Sequence, residues 1–228
     1  MVKRVLVWIE AFIMTFSLIL WLFLFNLEKV AFDLNFYKME YQKNQVSSVT
    51  KIGVDELMNI TERMHQYLKG QKEDMDIFAN IEGDAKKVFN EKELNHMKDV
   101  KQLFVLEEWV KKISITIFFV LFGILVWKTS FSKTLSLLLK SIVFMLGALL
   151  IFGLFIALDF EKWFTLFHLA FFDNDLWILD VEKDRLIQMF PQEFFQDAVY
   201  IIFRNTFIGI LLIIVGTFSI SKFLKEPS

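Results

Sequence analysis

The chain has 228 residues, 55% of them hydrophobic and 17% aromatic, with 28 Phe and a mean hydropathy of +0.47. A soluble domain of this size has too little interior to hide that much apolar surface, which excludes a water-soluble globular protein. The formal net charge of −2, with no basic run interleaved with aromatics, leaves no nucleic-acid footprint, and the lack of Cys removes disulfides, thiolate nucleophiles and Cys metal ligands.

The apolar residues fall into four runs. Residues 5–25 would make a helix of about 31 Å, matching a hydrocarbon core of about 30 Å, and residues 113–127, 135–158 and 199–220 repeat the pattern, the second borrowing from 109–112 to reach full length. Backbone groups in lipid must satisfy one another, so each run is expected to be a helix. The first run is too long for a signal peptide and no small-residue cleavage site follows Phe25, so it is expected to stay as an anchor. Lys3 and Arg4, Lys128, Lys133 and Lys140, and Lys222 and Lys225 make seven basic residues against one acid, Glu226, in the short flanking segments, whereas acids outnumber bases in 26–112 and 159–198. This places both termini in the cytoplasm and both large polar segments outside. The expected organisation is an all-α integral membrane protein. It comprises a first transmembrane helix (1–25), an extracellular segment (26–112), a second helix (113–127), a third (135–158), an extracellular interfacial loop (159–198), a fourth (199–220) and a cytoplasmic tail (221–228). The cap built from the first and third connections is expected to be mainly helical.

Within the first polar segment, Val54, Leu57, Met58, Thr61, Met64 and Leu68 recur at helical spacing, with Asp55 near the start and Gly70 after the end. Asn90 and Glu93, three apart, form a capping-box pattern for a helix that can run on into the second span. In the second polar segment Phe160, Trp163, Phe164, Phe167 and Phe171 make an aromatic stripe suited to lying along the bilayer surface. The stretch "FDNDLW" reads as a turn, and Pro191 suits the first position of the helix that follows.

Candidate chemistry sits at the same places. His168 lies on the aromatic stripe, with Asp173, Asn174, Asp175, Trp177, Asp180 and Asp184 close behind. His96 precedes the second span, with Asp99 about one turn away and Lys98 and Lys101 nearby, so two imidazoles can meet at the outer membrane face. A solvated helix face for His96, aromatic packing for His168 and a solvated loop for the Asp series are the alternatives. His65 has no acidic neighbour in the membrane-proximal region and is expected on a solvated or partly packed helix face. Glu10 and Arg204 are charges within spans, functional candidates by default that snorkelling also explains.

The blocks "NHMKDVK" (95–101) and "FHLAFFDNDLWILDVEKDRLIQMFPQEFF" (167–195), with four spans around them, resemble the bacterial lipoprotein intramolecular transacylase (Lit) family. The layout matches over essentially the whole chain, and the specific content lies in those two blocks. The resemblance implies an enzyme of Gram-positive cell membranes acting on lipoproteins whose N-terminal Cys carries a diacylglyceryl group. It moves the sn-2 acyl chain to the α-amino group of that Cys, leaving a lyso-form lipoprotein, with His96 and His168 as catalytic residues.

The residues suit such chemistry. An O-to-N acyl shift needs a deprotonated amine near an ester carbonyl, stabilisation of the oxyanion and a proton for the departing oxygen. The substrate brings its own nucleophile, and no G-x-S-x-G elbow is present to demand an acyl-enzyme. His168 is read as base and His96 as acid or oxyanion donor, an order that can be reversed. The stripe would bury acyl chains, and Asp99, Lys101, Asp173, Asn174, Asp175, Trp177, Asp180 and Arg204 would bind or orient the substrate or the imidazoles. Membrane lipid and diacylglyceryl-modified lipoproteins are the expected partners, with no nucleic acid, no cofactor and no metal. A non-catalytic membrane-anchored sensor or assembly partner is the competing reading, although the inner segments are too short for an output module. A zinc hydrolase is a third, weakened by the absence of H-E-x-x-H.

Overall fold

The computed structural model describes residues 2–81 and 83–224, with residues 2 and 3 described by their backbone alone. Lys225, Glu226 and the rest of the expected tail beyond 224 lie outside the described residues, as does the side chain of Lys3. Among the described residues the elements are α1 (Val2–Ala31), α2 (Leu34–Lys43), α3 (Val46–Thr50), α4 (Val54–Leu68), β1 (Phe78–Ile81), β2 (Asp84–Lys87), α5 (Glu91–Lys128), α6 (Phe131–Leu158), α7 (Phe160–Phe171), α8 (Arg185–Met189) and α9 (Gln192–Phe223). The chain divides into two compact units, one of residues 1–28, 108–158 and 200–228 and the other of residues 29–107 and 159–199.

In the first unit, α1, α5, α6 and α9 are long and apolar enough to cross a membrane. Their outward faces carry bare Trp127, Phe144, Leu158 and Leu212, a surface that hydrocarbon tolerates and water does not. Ala11, Met14, Leu18, Leu125, Leu138, Ile142, Met145 and Ile210 close the interior. Polar side chains inside it bond to carbonyls one turn back and across helices. Thr15 donates to the Ala11 carbonyl at 2.8 Å, and Asn26 Nδ2 donates to the Leu22 carbonyl at 2.9 Å and to Thr206 Oγ1 on α9 at 3.2 Å. Glu10, one of the two charges flagged within spans, is paired with Lys128 Nζ at 2.6 Å rather than standing alone.

The second unit packs α2 against α4 around Tyr37, Tyr41, Leu57, Ile60 and Met64. The α4 helix ends where Gly70 adopts a φ of +71°, a left-handed conformation that Gly takes without strain. The expectation of an outer segment built mainly of helices misses one feature. Residues 78–87 form an antiparallel hairpin pairing Phe78 with Lys87 and Ile81 with Asp84, and Gly83 at φ +93° supplies the tight connection. Ile77, Ala79 and Ile81 are buried at a period of two, which is a strand pattern rather than a helical one.

The capping box at the start of α5 is reciprocal: Glu93 Oε2 accepts from Asn90 N at 2.7 Å and Asn90 Oδ1 accepts from Glu93 N at 3.1 Å. From there α5 runs unbroken for 38 residues, about 57 Å. Pro191 lies immediately before α9, and its carbonyl accepts from Phe194 N at 3.0 Å.

The α1 and α9 helices pack tightly at Gly209, where an added Cβ would stand 2.9 Å from Leu22 Cδ2. Small residues at such crossings let membrane helices pack. Gly209→Val is therefore expected to lower stability by about 1–3 kcal/mol through overpacking. The readout is the unfolding midpoint in detergent, with Gly216→Val, where a Cβ meets nothing within 4 Å, staying near parental.

Candidate active site

Both block histidines belong to the second unit, and both are 7% exposed. His96 projects from α5 three residues after the capping Glu93, and His168 from the last turn of α7. Their rings lie 6.2 Å apart, centre to centre, at 32°. The surroundings are aromatic. Phe164, Phe167 and Phe172 meet His168 at 4.4, 5.4 and 5.6 Å, Phe172 meets His96 at 5.2 Å, and Trp177 stacks on His168 at 4.8 Å and 27°.

The polar contacts make the two rings unequal. His168 Nδ1 stands 2.7 Å from the Phe164 carbonyl, one helical turn back. A carbonyl can only accept, so Nδ1 carries the hydrogen and a neutral His168 has its lone pair on Nε2. His96 Nδ1 is buried with no hydrogen-bond partner. Burial pushes the His96 imidazole from 6.5 down to about 4; His168 adds to that depression and the Asp99 carboxylate opposes it. Burial also lowers His168, against the Phe164 carbonyl, which raises it. Both rings are therefore neutral at pH 7 and free to exchange protons.

Of the other predicted site residues, Asp99, Asn174 and Trp177 join this cluster. Asn174 Nδ2 donates to Asp99 Oδ2 at 3.0 Å, and Asn174 Oδ1 accepts from Leu176 N at 3.0 Å, which fixes the turn that carries Trp177. Asp173 and Asp175 are exposed, and the Asp175 carbonyl closes a turn with Ile178 N. The structure directs three others elsewhere. Lys101 Nζ sits 4.1 Å over the Tyr67 ring and donates to the Lys72 carbonyl at 3.2 Å. Asp180 pairs with Lys183 at 3.0 Å, which holds its carboxyl below the usual range. Arg204 belongs to the first unit, where its guanidinium donates to Asn205 Oδ1 and lies 6.0 Å from the Tyr200 ring centre. Among the described residues no three His, Cys, Asp or Glu side chains gather as a metal site.

Two participants were not singled out from the sequence. Phe172 continues the 164, 168 series by one more turn and touches both imidazoles; the series itself was the available signal. Glu93 is more than a cap: its Oε1 also accepts from Leu186 N at 2.6 Å, a partner 93 residues away that no local pattern announces.

His65 corrects an expectation. It is buried rather than on a solvated face, edge-on to Phe32 at 5.1 Å and Tyr37 at 4.8 Å, with Nε2 unpartnered. The amphipathic pattern of α4 placed it between faces, and the aromatic residues of α2 that cover it come from another part of the chain.

A family model for the lipoprotein intramolecular transacylase Lit matches residues 12–195. The chain belongs to the Lit family. A solved structure of Lit from Bacillus cereus, membrane-integral, superposes with a TM-score of 0.73 at 25% identity, covering 95% of this chain and 94% of that one. Two variants of the same Bacillus cereus protein, with a histidine replaced by alanine or by arginine, share the fold at 23% identity and a TM-score of 0.72; each comparison covers 97% of this chain, and 94% and 93% of theirs. A protein of Aquifex aeolicus (strain VF5), itself uncharacterized, is 29% identical over 153 residues, 62% of this chain and 62% of its own length. With its four apolar helices, this Lit-family chain is a multi-pass membrane protein.

The folded protein holds His65 neutral because burial, helped by Lys69, pushes it from 6.5 down to about 4. The unfolded chain therefore binds the extra proton, so stability is level above about pH 6.5 and is lost as pH falls toward about 4. Thermal unfolding in detergent should show this decline, with His96 and His168 adding in the same direction. His65→Phe should flatten part of the curve, and an unchanged slope would contradict the assignment.

Proposed function

We propose that this chain moves an acyl chain within a diacylglyceryl-modified lipoprotein, from the sn-2 glycerol oxygen to the α-amino group of the N-terminal Cys, and that His96 and His168 carry the proton transfers. The observation that carries this reading is the pair of buried, neutral imidazoles 6.2 Å apart in an aromatic surround. The family assignment supports the reaction class.

The free amine attacks the ester carbonyl carbon, the N–C bond forms, and the amine proton passes to His168 Nε2, the nitrogen left open by the Nδ1–H···O=C bond. His96, held neutral, donates a hydrogen bond to the oxyanion, as a neutral imidazole can. The C–O bond to glycerol then breaks, and the proton held by His168 goes to the departing oxygen. The products are an amide and a free hydroxyl, and no proton is gained or lost overall. The exposed carboxylates of Asp173 and Asp175 suit an approaching ammonium, and the Phe164, Phe167 and Phe172 rings suit acyl chains. The excess of basic residues on the short flanking segments supports cytoplasmic termini and an external active site. Because amine and ester belong to one molecule, much of the acceleration comes from orientation, which in well-placed intramolecular reactions is worth about 7–11 kcal/mol.

The test is mass spectrometry of a reporter lipoprotein's N-terminal lipopeptide from cells with and without the chain. Total acyl mass should be unchanged, with one chain amide-linked only when the protein is present. His96→Ala and His168→Ala should each lower conversion by about two to four orders of magnitude, and the double variant should cost much less than the summed logarithms. A free amine in every sample would remove the transacylase reading.

A further inference from the structure

Trp177 and the Phe rings around His168 are not equivalent. Phe164 is tilted at 54°, Phe167 stands edge-on at 86° and Phe172 lies farther off at 5.6 Å, whereas the indole of Trp177 lies nearly parallel at 27° and 4.8 Å. Its Nε1–H is buried with no acceptor. An unsatisfied buried donor is costly, and a Phe would fill much of the same space without that cost. What Trp adds is the larger, more electron-rich face. Indole is the best of the three aromatic side chains at attracting a cation, and the attraction grows where water is excluded.

Resting on the transacylase reading, we propose that Trp177 is the positioning residue for His168: its indole face holds the imidazole plane and stabilises the imidazolium formed when Nε2 takes the amine proton. His96 has no such support. Its Nδ1 is unpartnered and its ring neighbours are Phe172, at 66°, and His168 itself. Of the two rings, only His168 has both a carbonyl on Nδ1–H and an indole on its face, two contacts that strengthen when the ring becomes positive. On this proposal His168 is the proton acceptor of the pair. The groups facing His168 are Phe164 and Phe167 from its own helix, Phe172 at the helix end, Trp177 from the following turn and His96 from α5. His96 is the titratable one among them, with Asp99 beyond it on the same helix.

Two other roles for Trp177 would leave different traces: its N–H donating to the substrate carbonyl, or simple space filling. Fluorinated tryptophans separate the three at nearly constant shape, because ring fluorines weaken cation attraction while making the N–H a better donor. The protein is produced with tryptophans of increasing fluorine number. Trp177→Phe, grown in the same way, is the background for the other five of the six Trp. Lipopeptide turnover and the titration of the His168 ring, followed by NMR, are measured in each sample. Turnover should fall stepwise with fluorine number and His168 should titrate at progressively lower pH, both in the parental sequence only, with Trp177→Leu slower by on the order of tenfold. Turnover that rises would overturn the proposal in favour of the N–H donor, and turnover that stays flat would overturn it in favour of packing. If the parental protein transfers no acyl chain at all, the transacylase reading fails by itself. The titration then decides the stack, and an unchanged His168 midpoint overturns it.

Discussion

Glu93 is 1% exposed, and both oxygens of its carboxylate accept from backbone amides, Asn90 N on one side and Leu186 N on the other. Burial raises its pKa, and those two amides oppose the shift. Around it, Asn90 Nδ2 donates to Asp184 Oδ1 at 2.7 Å and Asp184 Oδ2 accepts from Asp180 N at 2.7 Å. The first turn of α5 is thereby fastened to residues 180–186, directly ahead of His96. A further tether, Asn174 to Asp99, attaches to α5 just beyond His96. The connection carrying Trp177 is thus pinned to α5 on both sides of one imidazole, and this brings the indole to the other. A broken tether at Glu93 would leave a buried carboxyl oxygen without its partner, which is costlier than the loss of a surface hydrogen bond.

Rigidity of this kind fits a site whose electrostatics come from exclusion of water rather than from charge. The two imidazoles have rings and a backbone carbonyl around them, with Asp99 as the nearby carboxylate affecting His96. Desolvation favours their neutral forms, so proton transfer through them, as proposed, needs partners that favour the charged form only at the moment it appears. A carbonyl on Nδ1–H and an aromatic face do this without fixing a permanent counter-charge. A carboxylate in direct contact would instead raise the imidazole pKa and protonate the base before substrate arrives.

Much of this was legible in the sequence because the signals are local. The four apolar runs, the helix at 54–68, the Asn90–Glu93 box and the aromatic helix ahead of the "FDNDLW" turn depend on spacing within one element; each run lies inside a helix, the second and fourth inside helices that start 22 and seven residues earlier. The hairpin at 78–87 was missed although Ile77, Ala79 and Ile81 alternate, because the stretch is short and lies between two helical patterns. His65 was misjudged for a different reason. Its burial comes from Phe32 and Tyr37, which local periodicity on α4 cannot reveal. The same applies within the site, where Asp99, Asn174 and Trp177 converge and Lys101 and Asp180 turn to other partners. Sequence proximity treats all five alike, and the contacts that separate them are long-range.

The economy of the cluster follows from the reaction. A single acid or base contributes about two to four orders of magnitude, less than the orientation term open to an intramolecular transfer. A protein performing such a transfer gains more from holding one lipidated terminus in a fixed pose than from multiplying reactive groups. The second unit is consistent with this: two imidazoles, several rings suited to acyl chains, and a hydrogen-bonded loop with anchors at Asn90, Glu93 and Asp99, each within about two turns of His96. The missing Cys costs such an enzyme nothing, because the nucleophile arrives on the substrate and the loop is held by buried carboxylates on backbone amides rather than by disulfides.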